Sequence, residues 1–260
     1  MTRRRARSGR AAARALTVAA GVAGAAAALG GWWWWLARRQ HHWRIALAEA
    51  IPVNSAYWRQ QRTREGELLY VAVGDSAAQG IGASRPGRGY VGVIARRIAG
   101  ASGARVRVAN LGVSGATLRT VLDVELPVLE TLDPAVLTVS IGANDMADFD
   151  PVRFEREAGE LFARLPRHAI VADLPSFYFL PAHRRVRAAN RMLRELAERH
   201  GFELAPLHRF TDRQGLWGVS TQFAGDLFHP NDRGYRVWAD AFAPAVERRL
   251  AELGLHAAPE

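Results

Sequence analysis

The chemically suggestive residues are a serine, an aspartate–histidine pair and two candidate amide donors, spread along the chain. Ser76 closes the run Val73-Gly74-Asp75-Ser76, and Asp226 and His229 stand three residues apart in Asp226-Leu227-Phe228-His229-Pro230-Asn231. Acyl transfer through a serine needs a nucleophile, a general base, a group that orients the base, and donors for the oxyanion. On a turn, a carboxylate at this spacing can reach the imidazole Nδ1–H while Nε2 faces a serine. Gly112, in Asn110-Leu111-Gly112, offers a backbone N–H that a reactant can approach without meeting a side chain. Asn144, in Gly142-Ala143-Asn144-Asp145, adds a side-chain amide, and the N–H of Ser76 itself is a third donor. Each piece also has an ordinary reading. Gly-Asp-Ser is a common turn tripeptide, His229 ahead of Pro230 reads as a helix cap, and Asp226 reads as a turn acid. Asn144-Asp145 reads as an Asx-turn, and Gly112 as a residue that permits an awkward φ. Their coincidence in one order favours the chemical reading.

The elements that must position these residues follow from the hydrophobic pattern. From residue 67 onward, short apolar runs alternate with helix-length amphipathic stretches. Residues 68–73, 106–110, 136–141, 169–173 and 202–205 read as buried strands. Helices are expected near 89–101, 117–130, 151–165, 183–200 and 232–253. Such alternation implies parallel strands with right-handed crossovers, that is, an α/β fold as a three-layer α/β/α sandwich around a five-stranded parallel sheet. Ligands of such sheets bind outside the carboxyl ends of the strands, where Ser76, Gly112 and Asn144 all fall. Phe177-Tyr178-Phe179-Leu180 follows the fourth strand and reads either as an acyl-pocket wall or as packing beneath a loop.

With these blocks in their order, residues 67–250 resemble the SGNH (GDSL-type) hydrolase family, named for the Ser, Gly, Asn and His of its four blocks. The resemblance implies a flavodoxin-like fold, no metal and no other cofactor, and action on esters and thioesters of lipids, small alcohols and acetylated sugars. It implies Ser76 as nucleophile, His229 as base, Asp226 as its partner, and Ser76 N–H, Gly112 N–H and Asn144 as the oxyanion hole. Ala77 departs from the Leu or Ile often found after the serine, a packing change that leaves the chemistry alone. No Gly-x-Ser-x-Gly elbow is present, which argues against the α/β-hydrolase fold.

Composition narrows the remaining classes. The 260 residues suit one α/β domain with an appendage, and 49% hydrophobic against 23% charged residues excludes wholesale disorder. With no cysteine, disulfide scaffolds, thiolate metal sites and Cys nucleophiles are excluded. Asp145, Asp148 and Asp150 read as solvated loop acids rather than a cation site. The net charge of +10 is concentrated: residues 1–59 carry ten Arg and one Glu, whereas residues 60–260 carry 25 Arg and 24 acids. A basic nucleic-acid groove is therefore not expected.

Six Arg in residues 1–14 precede the uncharged stretch 15–37, which ends in Trp32–Trp35 and is followed by Arg38 and Arg39. This predicts a basic cytoplasmic N-terminus, a transmembrane signal-anchor helix over 15–37, a juxtamembrane connector over 38–66, the hydrolase domain over 67–253 and a tail over 254–260. Trp43–Ala50 reads as a short helix that Pro52 ends. The alternative is a signal peptide cleaved after the Ala-rich stretch, releasing a secreted domain. The leading expectation is an extracytoplasmic, membrane-tethered serine esterase or lipase, monomeric, acting on a small-molecule or lipid ester. The alternatives are an acyltransferase or deacetylase on cell-envelope glycans with the same triad, and a non-catalytic envelope binding module.

Overall fold

A computed structural model describes residues 2–178 and 182–255, with side chains from residue 21 onward apart from Val22 and Arg44. In chain order the elements are helix α1 (Thr2–Arg62), strand β1 (Leu68–Gly74), the short α2 (Ser76–Gln79), α3 (Tyr90–Ser102) and β2 (Val106–Asn110). Next come α4 (Leu118–Thr120), a π-turn (Val121–Glu125), α5 (Leu126–Leu129), β3 (Val136–Ser140), α6 (Pro151–Arg164) and β4 (Ala169–Ala172). The chain ends with α7 (His183–His200), β5 (Glu203–Ala205), α8 (Leu207–Asp212), α9 (Gly215–Thr221) and α10 (Asp232–Glu252). The five strands form one parallel sheet in the order β2-β1-β3-β4-β5, as the α/β expectation requires.

That order reverses between β1 and β3, so a crevice opens beyond their carboxyl ends. Alternate β1 side chains supply two separate cores. Leu69, Val71 and Val73 pack with the α4–α5 segment, α6 and α7. Tyr70 and Ala72 pack with α3, α10 and Trp58 of α1. On that second side Tyr90 stacks on Phe242 with ring centroids 5.6 Å apart, and Tyr70 Oη meets Thr138 Oγ1 at 2.8 Å. At Gly74, paired with Ser140 of β3, any Cβ would lie 2.5 Å from Ser140 O. No other residue fits there without parting the strands.

Two helical expectations differ from the structure. The segment 117–130 is not one α-helix. Leu126 N–H bonds Val121 O, five residues back, which makes the π-turn just ahead of Pro127. Pro127 has no N–H, and its ring clashes with the carbonyl four residues before it, so the preceding turn widens. At the other end of the chain, Pro52 does not terminate a helix: α1 continues through it to Arg62.

The chain divides into two compact units, 1–45 and 46–260. Residues 46–62 therefore belong with the sheet domain rather than acting as a loose connector. Asn54 Nδ2 and Trp58 Nε1 both donate to Gln79 O, at 2.9 and 3.0 Å, and both side chains are buried. These bonds and the burial of the indole offset the roughly 3 kcal/mol a helical proline costs. In the first unit, Trp32 to Trp35 are exposed, and the Arg38 and Arg39 guanidinium groups lie over the Trp34 and Trp35 rings at 5.2 and 5.4 Å. Among the described residues no helix is long and apolar enough to cross a membrane. The span expected over 15–37 falls partly on residues whose side chains lie outside the described set.

In a chain beginning at Ala46, Trp58→Ala should lower the unfolding free energy by about 3–5 kcal/mol, the usual loss for a buried aromatic ring. Denaturant unfolding would measure it. A loss below about 1 kcal/mol would show that this helix end lies on the domain without contributing to its core.

Candidate active site

The site assembles from three strand ends and one distant loop. Gly74 ends β1, and the chain turns at once into α2, with Asp75 as its N-cap accepting from Ala77 N–H at 2.8 Å. Ser76 is thereby the first residue of α2, with its side chain at the crevice. Its N–H has no protein acceptor among the described residues. Polar bonds from Gln79, at the far end of α2, fix that helix: its Nε2 donates to Gly112 O at 2.8 Å and its Oε1 accepts from Ser114 Oγ at 2.9 Å.

The loop before α10 brings in the acid and the base. Ala224 N–H donates to His229 O at 2.8 Å, and Phe223 and Pro230 form an antiparallel bridge. Asn231 pins the loop base: its Nδ2 donates to Thr221 O and Phe223 O, and its Oδ1 caps α10 through the Arg233 and Gly234 N–H groups. The helix-capping role the sequence suggested for His229 thus belongs to Asn231. Gly82, at φ 94°, is the opposing wall, since a Cβ there would lie 2.5 Å from Pro230 O and 2.9 Å from His229 Cβ.

In this setting His229 Nε2 lies 3.0 Å from Ser76 Oγ, and His229 Nδ1 lies 2.6 Å from Asp226 Oδ2. Asp226 Oδ1 accepts from the Phe228 and His229 N–H groups, both at 3.1 Å. Leu227, at φ 58°, makes the tight bend that brings acid and imidazole face to face. Burial pushes the Asp226 carboxyl up, but the hydrogen bond and charge of His229, with the two N–H donors, outweigh it and hold it below the usual carboxylate range. Asp226 is therefore a carboxylate that fixes the ring with Nδ1 as donor and leaves Nε2 to accept from Ser76.

The other expected donors border the same turn. Gly112 is packed against it, for a Cβ there would lie 2.8 Å from Ala78 Cβ and 3.1 Å from Asp75 O. Its N–H donates to Asn110 Oδ1 at 3.0 Å, while Asn110 Nδ2 donates to Ala78 O at 2.6 Å. Asn144 Nδ2 donates to Ala116 O at 2.9 Å and, more weakly, to Asp75 Oδ2 at 3.3 Å. Burial raises the Asp75 carboxyl to about 6, against the Ala77 N–H and the His229 charge that lower it. Beyond Asn144 a cavity of about 340 Å³ is lined by Thr117, Arg119, Asp148, Arg153 and Glu157, among others.

Phe177 meets Phe228 edge-on at 6.4 Å, and Phe228 in turn meets the His229 ring at 5.1 Å, making an apolar wall beside the imidazole. Tyr178 sends its hydroxyl to Thr211 O at 2.9 Å and packs against Phe223. Phe179 lies outside the described residues. Asp145 is not a solvated acid: it is buried and accepts from Leu118 N–H at 3.2 Å. Asp148 pairs with Arg153, and Asp150 caps α6. Among the described residues, no group of three or more His, Asp or Glu could hold a metal ion.

Reasoning from the sequence missed Asp75, Gln79, Asn110 and Glu125. Glu125 carries a legible signal, an acid among the inward-facing Val121, Leu122 and Leu126. Gln79 carries none, because its partners are distant in the chain, and Asn110 pairs locally with Gly112 N–H but also with Ala78 O, 32 positions away.

Solved structures with this fold include LAE5, an alpha/beta hydrolase enzyme from the metagenome of Lake Arreo, Spain. It is 25% identical, with 72% of this chain and 98% of that one covered and a TM-score of 0.58. TesA is 24% identical over 70% of this chain and 99% of its own, with a TM-score of 0.59. Axe2, an acetylxylan esterase from Geobacillus stearothermophilus, is 18% identical over 69% and 94%, with a TM-score of 0.57. No curated protein matches the chain. The profile of the GDSL-like Lipase/Acylhydrolase family matches residues 72–237, a stretch that contains Ser76, Gly112, Asn144, Asp226 and His229. The chain belongs to that family and is a carboxylic ester hydrolase.

Proposed function

We propose that this hydrolase works through an acyl-enzyme on Ser76. The observation that carries the reading is the unbroken chain from Asp226 Oδ2 through His229 to Ser76 Oγ, at 2.6 and 3.0 Å. Ser76 Oγ attacks the ester carbonyl while its proton passes to His229 Nε2. The carbonyl oxygen becomes an oxyanion at the Ser76 N–H, with Gly112 N–H and Asn144 Nδ2 turning to it from their present acceptors. Collapse breaks the bond to the alcohol, which leaves with the proton from His229. Water then repeats the sequence, releasing the acid and restoring Ser76. Asp226 stays ionised and stabilises the imidazolium.

A second reading, deacetylation or acyl transfer on cell-envelope glycans, has its own support. The cavity beside Asn144 lies within the roughly 300–1,000 Å³ range of small-molecule sites, and Arg119, Asp148, Arg153 and Glu157 among its lining residues offer hydrogen-bond partners for a hydroxyl-rich alcohol. Axe2, which shares the fold, is an acetylxylan esterase. Hydrolysis of p-nitrophenyl esters from acetyl to palmitoyl separates the readings: the glycan reading predicts an acetyl preference, and a palmitoyl preference would turn the assignment to lipids.

Residues 1–37 fit a membrane anchor with the catalytic domain outside the cytoplasm. The support is the uncharged stretch between two Arg groups and the exposed tryptophans at its end, a residue type that favours the membrane–water interface.

Ser76→Ala should abolish ester hydrolysis and leave the circular dichroism spectrum and unfolding midpoint close to wild type, because only a hydroxyl is removed. Residual turnover near the wild-type rate would refute the nucleophile. Asn144→Ala should lower kcat by about 10²–10³ with KM little changed, the usual consequence of losing one oxyanion donor. A kcat near wild type would remove Asn144 from the hole. The full-length chain should stay with membranes through a high-salt wash, which screens Arg–phosphate attraction but not apolar insertion. Release by salt would reduce the N-terminus to a peripheral basic tail.

A further inference from the structure

Glu125 is only 1% exposed and lies outside the triad and the oxyanion donors. It faces inward because the π-turn ahead of Pro127 shifts the register, setting it beside Val121, Leu122 and Leu126. Its Oε2 accepts from Gly74 N–H at 2.9 Å. Gly74 in turn accepts through its carbonyl from Val113 N–H at 3.0 Å. Gly74 lies two residues before Ser76, and Val113 directly follows Gly112. The carboxyl thus holds Gly74 at the base of the nucleophile turn, and Gly74 in turn holds the base of the oxyanion loop. Its other oxygen, Oε1, is buried without a hydrogen-bond partner among the described residues. Stability alone does not account for an acid kept in that position, since burying an unpaired polar atom is destabilising.

We propose that Glu125 is a positioning residue for acyl transfer: its carboxyl holds Gly74, which bonds both the nucleophile turn and Val113, and so sets the spacing between Ser76 and the Gly112 donor. The proposal rests on the reading of Ser76 as nucleophile.

Burial raises the Glu125 carboxyl to about 8, with the Gly74 N–H opposing and the Asp75 charge adding to the rise, so the group carries its proton at neutral pH. The titratable groups facing it are Asp75, from the turn after β1, and Tyr90, from α3. Asp75, at about 6, is already charged when Glu125 begins to ionise, and Tyr90, raised well above the usual phenol range by burial, stays neutral. Ionisation of Glu125 adds a buried negative charge behind the place where the ester oxygen also turns negative. It opposes both the fold and the reaction. Because the folded value is raised, the stabilisation Glu125 provides is complete in acid and is lost as pH rises through about 8.

The test compares wild type, Glu125→Gln and Glu125→Leu in steady-state hydrolysis of p-nitrophenyl acetate across pH, with thermal unfolding read in parallel. Wild-type kcat should fall above about pH 8. Glu125→Gln keeps the carbonyl acceptor and the volume, so it should hold neutral-pH kcat within about threefold and lose the alkaline fall. Glu125→Leu removes the acceptor and should lower kcat by about tenfold or more with KM little changed. An alkaline fall that persists in Glu125→Gln, or wild-type kcat in Glu125→Leu, would overturn the proposal. Should Glu125→Leu fail to fold, the pH profile of Glu125→Gln decides alone. Failure of the Ser76 reading looks different: Ser76→Ala would then turn over ester whatever occupies position 125.

Discussion

The parallel pairing of β1 with β3 is the constraint on which the rest of the site depends. These strands are the point where the sheet order reverses, and Gly74 lets them approach until no Cβ would fit against Ser140 O. From their carboxyl ends the chain leaves in diverging directions, into the Asp75–Ser76 turn on one side and the Asn144 turn on the other. β2 pairs with β1 in register from Leu68↔Val106 to Ala72↔Asn110, which places Gly112 at the same edge. The sheet thereby fixes Ser76, Gly112 and Asn144, the proposed nucleophile and amide donors, before any side-chain hydrogen bond is made. Only the acid and base must be brought in from elsewhere, and the Asn231-pinned loop does that.

The site gathers carboxyl groups in a place where burial opposes their charge. Asp226 escapes the penalty because His229 and two backbone N–H groups compensate it, and its carboxyl stays low. Asp75 and Glu125 do not escape it: both are raised, to about 6 and about 8. This division matches the demands of acyl transfer. A negative charge is useful behind the imidazole, where a positive charge develops, and harmful behind the oxyanion donors. The Asp226 carboxylate meets the first demand. On the proposal above, the second is met because the acid bonded to Gly74, Glu125, is neutral rather than a carboxylate.

Much of this was legible in the sequence, for a physical reason. Buried parallel strands read as short apolar runs, so all five appear within a residue or two of their observed limits, and the strand-end rule then placed Ser76, Gly112 and Asn144. The Asp226–His229 spacing works on a turn because it is local. Tertiary compensation was harder to see. Pro52 carries a real local signal to stop a helix, which the packing of Asn54 and Trp58 overrides. Pro127 carries a similar signal that yields a π-turn instead of a break, and the bond of the inward-turned Glu125 to Gly74 N–H shows only in three dimensions. The bonds from Gln79 to the Gly112 loop join residues 33 positions apart, with no periodicity to betray them.

The central claim is that one serine, Ser76, carries the acyl group. Labelling the protein with a fluorophosphonate and mapping the adduct by peptide mass spectrometry tests it most directly. The account predicts one adduct per chain, on the peptide containing Ser76, with labelling suppressed in His229→Ala. Ser176 serves as an internal control: it too is buried, and it donates to a carboxylate, Asp212, at 2.9 Å, but has no histidine partner among the described residues. An adduct on Ser176 or any other serine, or labelling of Ser76 that is indifferent to His229, would contradict the account.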